Sequence, residues 1–338
     1  MSGRVLVTGG SGYIGGFVIR ALAAEGWQVN TTIRNLSREG EVRSWLGVPD
    51  AQLNFFAADL LNDAGWAEAT AGCSHVAHVA SPLPTGAVRH EDDLIVPARE
   101  GALRALRFAK AAGVTRFVMT SSVAAIAYGH GKKSARYTEA DWTNVAGPQV
   151  HAYAKSKTLA ERAAREWIAA EGGDMTYCSV NPAAVLGPVL SADFSGSLEI
   201  VTRLLSGALP GVPDIGFGVV DVRDVADLHL RCLTSDQVAG ERFIASSPFM
   251  KMRDVATILR ERMGTEARKV PTRGLPDFVL QIAALFDPAL RMVTGELGKV
   301  RETRSDHARD VLGWVPRDPA ETIVDTARSL IEHGIVKL

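Results

Sequence analysis

The sequence predicts an α/β protein: a doubly wound parallel sheet followed by a smaller, mostly helical C-terminal region. Three observations predict it. Apolar runs of strand length recur at regular spacing from Val5 to Val180. Segments with the helical period separate them. After Pro182 that alternation gives way to Gly- and Pro-rich turns and to helices without regular partner strands. Continuous apolar strands alternating with helices imply parallel strands covered on both faces.

The strands are expected at Val5–Thr8, Val29–Ile33, Leu53–Ala57, Val76–Ala80, Phe117–Thr120 and Thr176–Val180, each bounded by Gly, Asp, Asn or Pro. Ile14, Phe17, Val18, Ala21 and Leu22 recur at i, i+3, i+4, i+7 and i+8, and Gly26 supplies a stop. A second helix passes through Leu103, Leu106, Arg107 and Lys110 to Gly113. A longer one follows Tyr153 to Ile168. Six such units give the doubly wound arrangement of a Rossmann fold. The turns Gly187-Pro188, Pro210-Gly211 and Val212-Pro213 mark the change of pattern, and later helices are expected at Val255–Met263, Phe278–Phe286 and Ile323–Ile331. The dinucleotide-binding domain is therefore placed at 1–181 and a mainly substrate-binding domain at 182–338. The helix Val225–Leu233 and the strand-like Arg242–Ala245 are expected to carry 217–246 back to the first domain.

Composition narrows the function classes. The 338 residues suffice for one large or two interleaved domains. A hydrophobic content of 46% excludes disorder as the main state. With 37 Lys+Arg against 38 Asp+Glu, the chain lacks the basic excess of a broad nucleic-acid-binding face, so no nucleic-acid partner is expected. No run reaches the roughly 18 apolar residues of a membrane span, so no membrane partner is expected either. The apolar stretch at Val5-Leu6-Val7 is too short for a signal peptide. Cys73, Cys178 and Cys232 form neither a disulfide framework nor a metal pair, and are read as reduced core thiols. A soluble cytoplasmic protein is expected, and the Asn-x-Ser/Thr matches at Asn30 and Asn35 are then accidental.

Thr8-Gly9-Gly10-Ser11-Gly12-Tyr13-Ile14-Gly15 lies directly between the first strand and the first helix. It satisfies Gly-x-Gly-x-x-Gly through Gly10, Gly12 and Gly15, and Gly-x-x-Gly-x-x-Gly through Gly9, Gly12 and Gly15. One glycine makes the tight turn, one lets the backbone approach a pyrophosphate, and one lets the helix pack on the strand. The exposed N–H groups and the positive helix end attract phosphates. The end of the second strand, Thr31-Thr32-Ile33-Arg34-Asn35, has no acid for a ribose 2′-hydroxyl but does have Arg34. A guanidinium can hold a 2′-phosphate by charge-assisted bonds, which favours NADPH over NADH; Arg38 is a second candidate. Asp59-Leu60, after the third strand, stands where an adenine amino group can be bonded, or where Asp59 caps a helix before Asp63 and Ala64.

Tyr153-Ala154-Lys155-Ser156-Lys157 opens the helix after the fifth strand. Residues four apart share a helix face. An ammonium beside a phenol lowers the phenol pKa and makes Tyr153 usable as a proton donor. The fifth strand ends in Met119-Thr120-Ser121-Ser122, at the carboxyl edge where ligands of such sheets bind. Either serine hydroxyl there could bond a carbonyl oxygen or merely satisfy loop backbone.

These motifs resemble, in order, those of the extended short-chain dehydrogenase/reductases: Gly9-x-x-Gly12-x-x-Gly15, Asp59-Leu60, His78-Val79-Ala80-Ser81-Pro82, Thr120-Ser121-Ser122, Tyr153-x-x-x-Lys157 and Asn181-Pro182. Arg34, the Ala80-Ser81-Pro82 turn, Tyr137-Thr138-Glu139-x-Asp141-Trp142 and Asp221-Val222-Arg223-Asp224-Val225-Ala226-Asp227 look most like the dihydroflavonol-reductase branch, which includes aldehyde and ketone reductases. Leu312-Gly313-Trp314-x-Pro316 resembles the tail of the same superfamily. The resemblance implies NADPH-dependent reduction of an aldehyde or ketone. Tyr153 would be the general acid, Lys157 would hold the nicotinamide ribose and tune the tyrosine, and Ser122, ranked above Ser121, would orient the carbonyl. The cofactor would contact Gly9, Gly12, Tyr13, Ile14, Gly15, Arg34, Asp59, Leu60, Val79, Ala80, Ser81, Thr120, Tyr153, Lys157, and Pro182 to Val185. Relatives often carry a second basic residue seven positions after the arginine; Glu41 stands there, so strict preference for NADPH requires Arg38 to substitute.

No metal-ligand spacing, P-loop or Gly-x-Ser-x-Gly elbow is present. His78 reads as a bonded core residue and His151 as a neighbour of the helix cap rather than a base. Trp142, Phe194, Phe217 and Phe249 suit either pocket or core. The segments Leu83–Val88, Tyr128–Arg136 and Gly187–Gly211 are rich in Ala, Gly, Pro and Val, which implies a moderately apolar pocket. A small-molecule carbonyl substrate and a monomer or homodimer are expected. Two other functions compete with this one. A nucleotide-sugar epimerase or dehydratase using NAD is opposed by Arg34. A dinucleotide-sensing regulator without catalysis is opposed by retention of Ser122, Tyr153 and Lys157.

Overall fold

The computed structural model describes residues 3–82, 90–191, 196–286 and 294–337. The strands are β1 (Arg4–Thr8), β2 (Gln28–Ile33), β3 (Leu53–Ala57), β4 (His75–His78), β5 (Arg116–Thr120), β6 (Ser134–Tyr137), β7 (Thr176–Pro182), β8 (Ala184–Leu186), β9 (Gly216–Phe217), β10 (Val219–Asp221), β11 (Arg242–Ala245), β12 (Met250–Lys251) and β13 (Val300–Thr303). Seven of them form one parallel sheet in the order β11-β7-β5-β4-β1-β2-β3. The order reverses direction beside β1, which is the doubly wound topology.

Val5, Leu6, Val7, Val76, Phe117 and Val118 are fully buried, as strands covered on both faces require. On one face pack α1 (Tyr13–Ala24), α2 (Glu39–Leu46) and, from the second half of the chain, a helix at Val222–Thr234. On the other face pack α3 (Trp66–Thr70), α4 (Asp92–Ala111) and α5 (Ala152–Glu171). Strand β11 pairs with β7 from Arg242↔Ser179 to Ala245↔Pro182 and forms the sheet edge. A separate apolar core gathers Val201, Leu204, Val255, Leu259, Ile323 and Leu330 from the later helices Glu199–Ser206, Met252–Met263 and Pro319–Glu332.

Two local details differ from the sequence expectation. The fourth strand ends at His78 rather than Ala80, because the Val79 and Ala80 N–H groups both donate to Thr8 Oγ1, at 3.0 Å each, instead of to a ladder. The later region also contains strands: β8 pairs with β10, β9 with β12, and β13 with the short β6 of the first half. At two to four residues each, they are too short to leave a period in the sequence. All three cysteines are free and buried, and burial pushes the Cys73 thiol up to about 11. Among the described residues no helix is long and apolar enough to cross a membrane.

Candidate active site

The parallel register Thr8↔Thr32 sets the loop after β1 beside the end of β2. Gly9 N–H donates to Thr32 Oγ1 (3.1 Å), Gly10 N–H to the Thr32 carbonyl (3.0 Å) and Gly12 N–H to the Gly9 carbonyl (2.9 Å). Gly9 has φ +76°, which favours glycine. A Cβ on Gly15 would lie 2.3 Å from the Gly9 oxygen, so helix and loop approach too closely for any side chain there. Gly12 caps α1 without a side-chain hydrogen bond, and the first turn holds no acid. The N–H groups of Tyr13, Ile14 and Gly15 consequently lack intrahelical partners at the positive end of the helix. This glycine-rich cradle fits the pyrophosphate of a dinucleotide.

Two side chains flank the cradle on the β2–β3 side. Arg34 is exposed just past β2 and has no hydrogen bond or ion pair among the described residues. Arg38, by contrast, forks Glu41, with Nε–Oε2 at 2.9 Å and Nη2–Oε1 at 3.0 Å, and this bond holds the Glu41 carboxyl below its usual range. Asp59 does not cap a helix: its Oδ1 accepts Leu61 N–H at 2.8 Å in a local turn, and its carbonyl accepts the Trp66 indole at 2.9 Å. Leu60 lies over Gly101, where an added Cβ would meet it at 2.8 Å.

At the centre, Thr8 Oγ1 accepts the Val79 and Ala80 N–H groups, so its proton is donated to His78 Nδ1 at 3.0 Å. His78 is thereby fixed as a neutral acceptor. Burial, and secondarily the charge of Lys157, push its pKa down to about 3. Ala80 lies against Gly9, where a Cβ would come within 3.0 Å of its Cα. Ser81 follows, partly buried.

The chemistry-bearing side chains converge where β5, β7 and the start of α5 meet. His151 is the N-cap of α5: its Nδ1 accepts Ala154 N–H at 3.2 Å, and burial with the Arg301 charge pushes its pKa down to about 4. At the start of the helix, Tyr153 and Lys157 share a face, with Lys157 Nζ 6.0 Å from the Tyr153 ring centre. Contrary to the lowering expected from Lys157, the Tyr153 phenol pKa is raised: burial outweighs the hydrogen bond with Ser122 that pulls it down. Lys157 is only 5% exposed. Its Nζ donates to the Thr120 carbonyl at 3.3 Å, and burial brings its pKa down to about 8 against the opposing pull of Glu161. The two serines diverge. Ser122 Oγ accepts Ala124 N–H at 3.1 Å and lies 3.4 Å from the Pro182 carbonyl, whereas Ser121 Oγ donates to Glu161 at 2.6 Å. Thr120 Oγ1 turns to the other face and donates to His229 Nε2 at 2.7 Å, since His229 Nδ1 donates to the Val225 carbonyl. Pro182 and Val185 are buried at the end of β7 and in β8.

Some candidate pocket residues belong elsewhere. The Trp142 ring lies under Arg242, 3.8 Å from ring centre to guanidinium, and so serves as packing. Phe249 fills the space beside Gly216, and Phe217 packs on the second core. Phe194 and Leu83–Val88 lie outside the described residues.

Sequence reasoning missed the buried Glu161–Arg242 pair, with Arg242 Nε 2.6 Å from Glu161 Oε1. Its trace is visible afterwards: an acid eight residues beyond Tyr153, on the same face, and an arginine inside an apolar strand. It also missed Arg301 on β13, which stacks 4.3 Å from the Tyr128 ring centre. The Tyr128 ring in turn meets His151 edge-on at 5.0 Å.

The chain has counterparts among known proteins. The model of the NAD dependent epimerase/dehydratase family matches residues 5–245. A dihydroflavonol 4-reductase of Zea mays is 30% identical over 77% of this chain and 74% of its own. A cinnamoyl-CoA reductase of Medicago truncatula is 33% identical over 76% and 80%. Yeast methylglyoxal/isovaleraldehyde reductase, solved in complex with NADPH, superposes with a TM-score of 0.83 at 26% identity, covering 98% of this chain and all of that one. The vestitone reductase of alfalfa gives 0.77 at 26%, covering 99% and 100%. A glycine-rich cradle, a Tyr-x-x-x-Lys face and a Ser122 hydroxyl at one sheet edge thus occur in a chain that belongs to the NAD dependent epimerase/dehydratase family, among its extended short-chain dehydrogenase/reductase members of the dihydroflavonol-reductase type.

Proposed function

We propose that this protein is an NADPH-dependent reductase that converts an aldehyde or ketone to an alcohol. The observation that carries the reading is the Ser122–Tyr153–Lys157 cluster at the carboxyl edge of a sheet whose first loop is a glycine-rich cradle suited to phosphate. Gly9, Gly12, Tyr13, Ile14 and Gly15 would hold the pyrophosphate; Arg34 the 2′-phosphate; Asp59 and Leu60 the adenine end; Val79, Ala80, Ser81 and Thr120 the middle of the cofactor; and Pro182 to Val185 the nicotinamide end. When bound, NADPH supplies the hydride.

The chain's own part is to orient the carbonyl and protonate its oxygen. Ser122 Oγ shares a hydrogen bond with Tyr153 and makes only a weak 3.4 Å bond to the Pro182 carbonyl, so both hydroxyls can turn to one carbonyl oxygen. Tyr153 gives up its phenolic proton as negative charge develops on the substrate oxygen. Lys157, held at the Thr120 carbonyl, stabilises the phenolate that results. The division of the chain into a cofactor part (1–181 with 217–246) and a substrate part (the rest of 182–338) belongs to the same reading. So does a small-molecule carbonyl as the only partner, met by a monomer or homodimer in the cytoplasm.

The test is oxidation of NADPH and NADH with a panel of aromatic and aliphatic aldehydes and ketones. Turnover preferring NADPH and lost in Tyr153→Phe supports the reading. Tight NAD retention with conversion of a nucleotide sugar, or dinucleotide binding without any turnover, would replace it.

A further inference from the structure

Beneath the Tyr153–Lys157 face lies a third residue of the same helical row. Glu161 is fully buried, four residues beyond Lys157 and eight beyond Tyr153. Its Oε1 accepts Arg242 Nε (2.6 Å) and Ser179 Oγ (2.9 Å); its Oε2 accepts Ser121 Oγ (2.6 Å), Asn181 Nδ2 (2.9 Å) and Arg242 Nη2 (3.3 Å). Asn181 Nδ2 continues to the Ser122 carbonyl at 3.2 Å. Arg242, 5% exposed, spends its remaining donor on the Glu139 and Asp141 carbonyls at 2.7 and 2.6 Å. One carboxylate therefore joins α5, both strand ends that bear Ser122 and Pro182, and the edge strand β11. A buried ion pair is often no more stable than apolar residues of the same volume, so stability alone is a poor reason for it.

We propose that Glu161, clamped by Arg242, is a positioning residue for carbonyl reduction. It holds the Ser122 and Pro182 strand ends in register with the Tyr153–Lys157 face and supplies the counter-charge that keeps Lys157 protonated. The inference rests on the reductase reading. Other groups around Lys157 do not supply that charge. Tyr153 on its own helix and His78 on β4 are neutral, and Thr120 on β5 offers only a carbonyl dipole. Around Glu161, Arg165 of the same helix and Arg242 of β11 are cations, and Tyr177 of β7 is a neutral phenol. Removing the carboxylate makes Lys157 lose its proton at lower pH.

The test compares wild type, Glu161→Gln, Ser121→Ala and the double variant Glu161→Gln/Arg242→Met, which leaves no unpaired buried charge. Steady-state kinetics across pH, NADPH affinity by fluorescence and thermal unfolding are measured for each. Glu161→Gln is expected to lower kcat by about 10- to 100-fold, the scale of sub-ångström misplacement, with NADPH affinity little changed. The alkaline limb of kcat/KM moves to lower pH in Glu161→Gln, moves less in the double variant, which also removes the Arg242 cation, and stays fixed in Ser121→Ala, which keeps the charge. A limb that stays fixed in both charge-removing variants, or an unchanged kcat in Glu161→Gln, overturns the inference while leaving the reductase reading intact. A wild type that reduces no carbonyl in the panel overturns both.

Discussion

Arg34→Ala separates cofactor choice from fold. The guanidinium is exposed and has no partner among the described residues, so its removal costs no protein contact, and thermal stability is expected to be unchanged. A hydrogen bond to a charged group contributes about 1.5–3 kcal/mol, or roughly 10- to 150-fold in affinity. Solvent screening at this open rim places the effect at the lower end, about tenfold in KM for NADPH. The neighbouring cation cannot compensate, because Arg38 is already forked onto Glu41. NADH, with no 2′-phosphate, should be indifferent to the change. The assay is the ratio of kcat/KM for NADPH to that for NADH, in wild type and variant, at low and at physiological ionic strength. The ratio should fall about tenfold, with a larger fall at low salt. Equal losses with both cofactors, or no loss with NADPH, would refute the assignment of Arg34 to the 2′-phosphate.

Further outcomes follow from other parts of the site. Tyr153→Phe should lower kcat by about 10²- to 10⁴-fold, the usual range for a general acid, while NADPH titration by fluorescence stays within error of wild type. Gly15→Ala places a Cβ 2.3 Å from the Gly9 oxygen, so isothermal titration should find dinucleotide binding lost or severely weakened. In wild type, kcat/KM should decline as pH rises past about 8, where Lys157 loses its proton; a profile flat to pH 9.5 would exclude that role. His78, His151 and His229 are neutral when folded, pushed by burial to about 3, 4 and 4 from the usual 6.5. The unfolded chain takes up protons below pH 6.5 that the folded one refuses. Stability should therefore fall between pH 6.5 and 4, by up to about 1.4 kcal/mol per pH unit for each histidine. Urea unfolding at pH 7.0 and 5.0 measures it.

What the sequence disclosed, and what it hid, follow from the range of the interactions involved. The glycine loop is legible because strand, turn and helix are contiguous and each glycine answers a local steric demand, as Gly15 does against Gly9. The Tyr153–Lys157 face is legible because four residues make one helical step. The sheet strands are legible because they are buried on both sides. The roles of Ser121 and Ser122 were not separable by spacing. Successive strand residues point to opposite sides, but which side meets Glu161 and which meets Tyr153 depends on α5, thirty residues further on. The strands β8 to β10, β12 and β13 left no trace, because two to four residues cannot display a period.

The Glu161–Arg242 pair was hidden for a more instructive reason. Each partner looks like an error when read alone: an acid on a buried helical row, and an arginine in an apolar strand. Together they are mutually required, since either one left alone would be an uncompensated buried charge. Their sequence separation is 81 residues, and that span runs from α5 through β7 into the later region. The strand that supplies Arg242 reaches the sheet edge only after the chain has left it and formed β8, β9 and β10 outside it. The return is therefore more than an extra edge for the sheet. It delivers the cation without which Glu161 could not be held ionised beneath Lys157. Without that anion, burial alone would press the lysine toward neutrality at the point where the proposed chemistry needs its charge.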